Sequence, residues 1–283
     1  MKIQDFQDNV TCGGFDNIFA NIYKPQDIES QKSRYMSAVE KFTALYPNRN
    51  DIHVYSAPGR TEIGGNHTDH QHGCVIAGAV DLDVIGVVAF HDENIIRIKS
   101  EGYDEFAVSP DDLDVHIGEK GSSEIVRGIT ARFKDLGVEI SGFDMYTTSN
   151  VLAGSGISSA AFETLIATAI DSYYNNNQIG AVEIAKIGQY AENFYFGKKS
   201  GLMDARLAVR EEKERSAIDK VKAAYGGPLP EYQRELGTDE LSAITLISFS
   251  SPYFSCGSST TKKLVYPYRC SATSASFTNT CAF

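Results

Sequence analysis

Residues 74–90, CVIAGAVDLDVIGVVAF, are apolar and β-branched, and a run of this kind commits the chain to a sheet. Across the turn HDEN, the segment NIIRIKSEGY (94–103) reads as a second strand. IHVYSAPGR (52–60) reads as a strand running into a turn, and GFDMYTTSN (142–150) as another strand. Helical spacing takes over elsewhere. Tyr35, Val39, Phe42 and Leu45 recur at three and four, which predicts a helix over Gln31–Leu45. SSEIVRGITARFKDL (122–136) has a serine start and carries Ile125, Ile129 and Phe133 on one face. VLAGSGISSAAFETLIATAIDSYY (151–174) is a glycine turn opening a long helix, and AVEIAKIGQYAENFYF (181–196) is a further helix. There is no internal repeat and no regular βαβ alternation, so the fold class is α+β, with a mixed sheet and packed helices.

The chain has 283 residues, enough for one large domain or two ordinary ones. Its formal charge of −11 argues against a nucleic-acid partner, because phosphate backbones select basic surfaces. No apolar run approaches a membrane span, and the start, MKIQDFQDNVTCGGF, lacks the apolar core of a secretory signal. Cys12, Cys74, Cys256, Cys270 and Cys281 lie far apart with no CxxC spacing, the pattern of free thiols in a reducing cytoplasm. After Glu240 the chain has no acidic residue and becomes rich in Ser, Thr, Cys and Tyr without a clear period, which reads as an irregular tail.

Three segments concentrate chemistry. APGRTEIGGNHTDHQHG (57–73) sets Arg60, Glu62, Asn66, His67, Asp69, His70 and His72 among glycines. Metal binding, a phosphate loop and a clamp on sugar hydroxyls are all compatible with it. LAGSGISSAAFE (152–163) has Gly154 and Gly156, which let the backbone approach an anion, and a helix that aims its N–H groups and dipole at that anion. Ser155, Ser158 and Ser159 add hydroxyls for phosphate oxygens or Mg²⁺. The same residues also suit an ordinary N-cap turn, and the Walker pattern GxxxxGK[ST] is absent. AENFYFGKKSGLMDA (191–205) carries Glu192 near a helix end and Asp204 after a Gly-Leu-Met turn; alone, two such acids read as solvated surface.

Taken together and in order, these segments resemble the galactokinases, which are grouped with the homoserine, mevalonate and phosphomevalonate kinases. The first resembles the signature GRxNxIGEHxDY and matches at Pro58, Gly59, Arg60, Gly65, His67, Thr68 and Asp69. The third resembles AExxxxGxxxGxMDQ and matches at Ala191, Glu192, Gly197, Gly201, Met203 and Asp204. The resemblance implies that Asp204 faces the anomeric hydroxyl of the sugar as base or orienting group, with Arg60 beside it. Asn66, His67 and Asp69 would read sugar hydroxyls. Gly154, Ser155, Gly156, Ser158 and Ser159 would cradle the phosphates of ATP. Glu192 and Ser159 would ligate Mg²⁺, a hard cation served by hard oxygen donors.

The pattern is departed from in places. Asn66 stands where Glu is usual, Glu62 where Asn is usual, and Ala205 where Gln is usual. The glycine loop has two consecutive serines, and no late glycine-rich motif of the GAGFGG kind follows. The implied architecture is two-lobed, with an N-terminal kinase lobe over residues 1–204 and an incomplete C-terminal lobe over 205–283. The implied activity is phosphorylation of galactose by ATP to galactose 1-phosphate in the cytoplasm, in a chain expected to be a monomer that binds neither nucleic acid nor membrane. A kinase for N-acetylgalactosamine and a non-catalytic binder of sugar and ATP are the alternatives, and the short second lobe is expected to cost turnover.

Overall fold

The computed structural model describes residues 1–64, 75–116, 118, 121–151, 158–198, 200 and 245–249, with 62–64, 75–77, 158 and 245–249 described by backbone alone. The chain opens with α1 (Ile3–Cys12) and α2 (Asp16–Ile22), followed by a single 3₁₀ turn at Pro25–Asp27 and then α3 (Ile28–Leu45). Tyr35, Ala38, Val39 and Phe42 form the buried stripe of α3. Leu45, expected on that stripe, is 42 % exposed, and its neighbour Tyr46 enters the core in its place.

The sheet is built from β1 (His53–Gly64), β2 (Val75–Phe90), β3 (Ile95–Ser100), β4 (Phe106–Val108), β5 (Gly142–Ser149) and β6 (Thr245–Phe249). Its order is β1-β2-β5-β3-β4, with β6 also on β2. β1 lies antiparallel to β2 along most of its length. The other edge of β2 is shared: β5 pairs with residues 84–90 and β6 with residues 75–79. The predicted turn between β2 and β3 is present, yet those two strands do not pair. β5 enters between them, antiparallel to β2 and parallel to β3, which makes the sheet mixed as expected.

β2 explains why its sequence is so uniformly apolar. Ile85, Val87 and Ala89 point at α1–α3, while Val84 and Val88 point at the opposite helices, and all five are at most 4 % exposed. A strand covered on both faces reads as a continuous apolar run. The second layer consists of α4 (Ser122–Asp135), α5 (Ser158–Tyr174) and α6 (Ala181–Tyr190). It packs Ile125, Ile129, Phe133, Leu165 and Ile166 against Ile96, Ile98, Phe143 and Met145. Each such side chain contributes about 1.5–3 kcal/mol relative to an exposed position.

The predicted helix over 181–196 is not uniform. After Tyr190 it widens into a π turn, Ala191–Phe196, closed by Gly197 at φ 74°. Gly128 on α4 explains why the wide turn fits. A Cβ there would lie 2.9 Å from Ala191 Cα and 2.7 Å from Tyr195 Cδ2, so only a glycine lets the two backbones come this close. Tyr195 then reaches across to donate its hydroxyl to Leu113 O at 2.8 Å.

Candidate functional site

β1 and β5 both run toward the end of the sheet at which β2 begins. The polar segment 65–74 joins β1 to β2, and the glycine segment 152–157 joins β5 to α5. Both connections therefore leave the sheet at the same end, and the second has the strand–loop–helix context that favours anion binding.

Arg60 sits in β1 just past a bulge. Pro58 lies opposite Asp83, while Arg60 lies opposite Ala79, so β2 carries the extra residues. Bulges twist a strand locally and re-aim its side chains. Asp83 anchors this bulge and is fully buried. Tyr23 donates its hydroxyl to Asp83 Oδ2 at 2.5 Å, Ser56 donates to the same oxygen, and Arg34 donates to Oδ1 at 2.6 Å. The backbone N–H of Asp83 donates to Asn150 Oδ1 at 2.7 Å, and Asn150 N–H donates to Asp83 O at 3.2 Å. Burial, then the neighbouring Tyr35 and Asp83, pushes the Tyr23 phenol far above its ordinary range, so it stays a donor. Asp83 thus ties the strand that carries Arg60, through its carboxylate and Ser56, to Asn150, through its backbone, two residues before the glycine segment.

At the other side of that segment, Ser159 lies in the first turn of α5 and Glu192 in the first turn of the π segment. Their sequence separation is 33, yet Ser159 Oγ donates to Glu192 Oε1 at 3.4 Å. Glu192 is only 6 % exposed. Lys198 Nζ donates to the same oxygen at 3.0 Å, and Lys198 N–H donates to Glu192 O at 2.9 Å, closing the π turn over Gly197.

The structure therefore brings together Ser159 and Glu192, the pair assigned to Mg²⁺. Arg60 is placed in β1, and Ser158 is placed by its backbone as the first residue of α5. Asn66, His67, Asp69, Gly154, Ser155, Gly156 and Asp204 lie outside the described residues. Among the described residues no group of three or more His, Cys, Asp or Glu gathers to hold a metal, and no helix is long and apolar enough to cross a membrane. Sequence reading missed two contributors. Asp83 is one of two acids inside a run read as apolar, and a charged residue at such a place is the signal that could have found it. Lys198 falls on a variable position of the AExxxxGxxxGxMDQ pattern, which carries no signal.

Residues 124–212 match the model of the GHMP kinases N terminal domain, which spans α4, α5 and the π turn that holds Glu192. Residues 40–90 match the galactokinase galactose-binding signature. The chain is 29 % identical to the galactokinase of Lactococcus lactis subsp. lactis (strain IL1403) over 179 residues, covering 62 % of this chain and 45 % of that one. It is 32 % identical to the galactokinase of Streptomyces coelicolor over 167 residues, covering 58 % and 43 %. It spans less than half the length of these relatives in the matched region. The crystal structure of Lactococcus lactis galactokinase complexed with galactose superposes with a TM-score of 0.55 at 21 % identity, over 71 % of this chain and 66 % of that one, and shares its fold. The first match makes residues 124–212 similar to the N terminal domain of the GHMP kinases. Residues 40–90 and the curated relatives add a likeness to the galactokinases.

Proposed function

We propose that this chain transfers the terminal phosphoryl group of ATP to the anomeric hydroxyl of galactose, giving galactose 1-phosphate and ADP. The observation that carries the reading is the meeting of Ser159 and Glu192 beside the β5–α5 connection, at the same end of the sheet as the β1–β2 connection. In this reading Asn66, His67 and Asp69 hold sugar hydroxyls, and Gly154, Ser155, Gly156 and Ser158 hold phosphates. A site built for hydroxyls penalises a sugar that lacks the match, because its own polar groups are then left unpaired. Asp204 orients the acceptor hydroxyl and takes its proton late. Arg60 orients that carboxylate and offsets charge on the phosphoryl group, since phosphoryl transfer is largely positioning and charge stabilisation.

Glu192 Oε1 and Ser159 Oγ fit Mg²⁺. Both are hard oxygens, and the ion ordinarily takes one or two protein oxygens together with water and phosphate. The approach of Lys198 to the same carboxylate oxygen is consistent with a point of negative potential there. When bound, Mg²⁺ would supply charge neutralisation on the nucleotide phosphates. Residues 1–204 would form the kinase lobe and 205–283 part of a second lobe, of which the structure describes β6 on the edge of β2. The chain would act in the cytoplasm as a monomer, without nucleic-acid or membrane partners.

ADP release measured over galactose, glucose and N-acetylgalactosamine tests the reading. Galactose is expected to be used in preference to glucose, by about ten-fold or more in kcat/KM. Asp204→Asn is expected to remove most transfer and to leave ATP binding in place. Equal use of galactose and glucose, or unchanged kcat in the Asn variant, overturns it. Preference for N-acetylgalactosamine, or binding of sugar and ATP without ADP release, would favour the two alternatives in turn.

A further inference from the structure

The GHMP kinase match covers Lys198 but gives it no role, and it is the only described cation at the Glu192–Ser159 pair. Its ammonium lies 3.0 Å from Glu192 Oε1, the oxygen that also accepts from Ser159. Its position is not left to the side chain alone. The backbone N–H of Lys198 closes the π turn onto Glu192 O at 2.9 Å, after Gly197 has turned the chain into the left-handed region. The lysine is thus delivered to the carboxylate by the same turn that buries it. The Glu192 side chain is 8 % exposed and that of Lys198 48 %, so the carboxylate is fixed while the lysine's stem is free to swing into solvent.

We propose that Lys198 is the resident counter-cation of the Glu192–Ser159 pair, holding the site together when no divalent cation is bound and competing with that cation for Glu192. A nearly buried carboxylate without a counter-charge is costly, so the lysine stabilises the metal-free site. A divalent cation on Glu192 Oε1 and an ammonium hydrogen-bonded to the same oxygen repel each other, so the lysine must withdraw. Metal binding is weakened by the free energy of that withdrawal. In the metal-free protein the same positive charge lies on the carboxylate oxygen that Ser159, in the first turn of α5, also reaches, and it favours the phosphates of a nucleotide bound beside that turn. Lys198 therefore narrows the difference between nucleotide binding with and without Mg²⁺.

The inference rests on the nucleotide and Mg²⁺ reading above, and the test separates the two. Dissociation constants for ATP are measured by calorimetry with Mg²⁺ in excess over ATP and with chelator, for the wild-type chain, Lys198→Gln and Lys198→Arg. The quantity read is the ratio of the two constants. In the wild type a finite ratio is expected; in Lys198→Gln the ratio should widen by roughly three- to ten-fold, through weaker metal-free binding and tighter binding with Mg²⁺. Lys198→Arg should restore most of the wild-type ratio. An unchanged or narrower ratio in Lys198→Gln, with a thermal melt like that of the wild type, overturns the role of Lys198 while leaving the nucleotide site standing. A wild-type chain that binds ATP under neither condition overturns the underlying reading and this inference with it.

Discussion

Asp83 and Glu192 are both nearly buried carboxylates beside the same end of the sheet, and the chain treats them in opposite ways. Asp83 accepts from a tyrosine, a serine and an arginine spread over both of its oxygens. Among the described residues Glu192 has two donors, a serine at 3.4 Å and a lysine at 3.0 Å, both on Oε1. Asp144 on β5 follows the first pattern, with Arg49 at 2.7 Å and Arg97 at 2.9 Å. A carboxylate that closes a structural joint is saturated by rigid donors, and arginine suits that task because its fork is planar and always charged. In the proposed reading Glu192 must exchange one partner for another, and among the described residues the only charged donor on it is a flexible ammonium. The number and rigidity of donors separates the two kinds of acid more sharply than burial does.

Removing the saturated acid should have the largest effect. Asp83→Ala leaves Arg34 and Tyr23 without their acceptor in a dry site, and breaking such a pair costs about 3–5 kcal/mol. Urea denaturation should show that loss, and a change under about 1 kcal/mol would mean that Asp83 is no more than a surface-like pair. Gly128→Ala comes next. Its Cβ would meet the backbone of Ala191, so the π turn must shift, at about 1–3 kcal/mol in the melt and with weaker binding of Mg²⁺-ATP. Normal nucleotide binding in this variant would detach the packing of α4 from the placement of Glu192. Glu192→Gln should invert the profile of Asp83→Ala. Stability should change by under about 1 kcal/mol, while Mg²⁺-ATP affinity falls about ten-fold in calorimetry. A large loss of stability would class Glu192 with Asp83.

The smallest effect is expected from acid. Glu93 is held down to about 2 by hydrogen bonds from Arg49 and Arg97, from an ordinary value of 4.5. Glu101 is lowered by Lys41 and Thr148, and Asp51 by Lys2. Because the folded values lie below the unfolded ones, these groups stabilise the fold above pH 4.5, and that contribution disappears as pH falls from 4.5 toward 2. Melting temperatures at pH 7 and pH 3 should differ in that direction, and Glu93→Gln should reduce the difference slightly.

Much of this architecture is legible in the amino-acid sequence. The strand assignments over 52–60, 74–90, 94–103 and 142–150 and the helices over 31–45, 122–136 and 151–174 each meet an observed element, because long periodic or continuous apolar segments report their own burial. The elements that the sequence reading does not assign are α1, whose Ile3, Phe6 and Val10 do carry a helical period, the short α2 and three-residue β4, and β6, a strand within the stretch after Glu240 that reads as irregular. The insertion of β5 between β2 and β3 is also invisible there, since strand order is a property of packing between distant segments and not of any one of them. At the site, Ser159 and Glu192 are legible through their motifs, and the fold adds the contact between them. Asp83 is hidden by the hydrophobicity around it, and Lys198 by a pattern that constrains only its neighbours. The roles given to Asn66, His67, Asp69 and Asp204 fall outside the described residues and rest on the resemblance.

The place of β5 also sets a timetable for assembly. As the chain leaves the ribosome, β1 and β2 can pair as soon as both exist, but the far edge of β2 has nothing to bind until residues 142–149 emerge. Until then β3 has only the short β4 beside it, and α4 is made before the strand that completes the surface beneath it. An unfilled edge on a strand with two apolar faces is the most adhesive surface a nascent chain can present. The slow, long-range closure of that gap places the hazard of misassembly in the interval between Phe90 and Gly142, well before the residues that would do chemistry are all in hand.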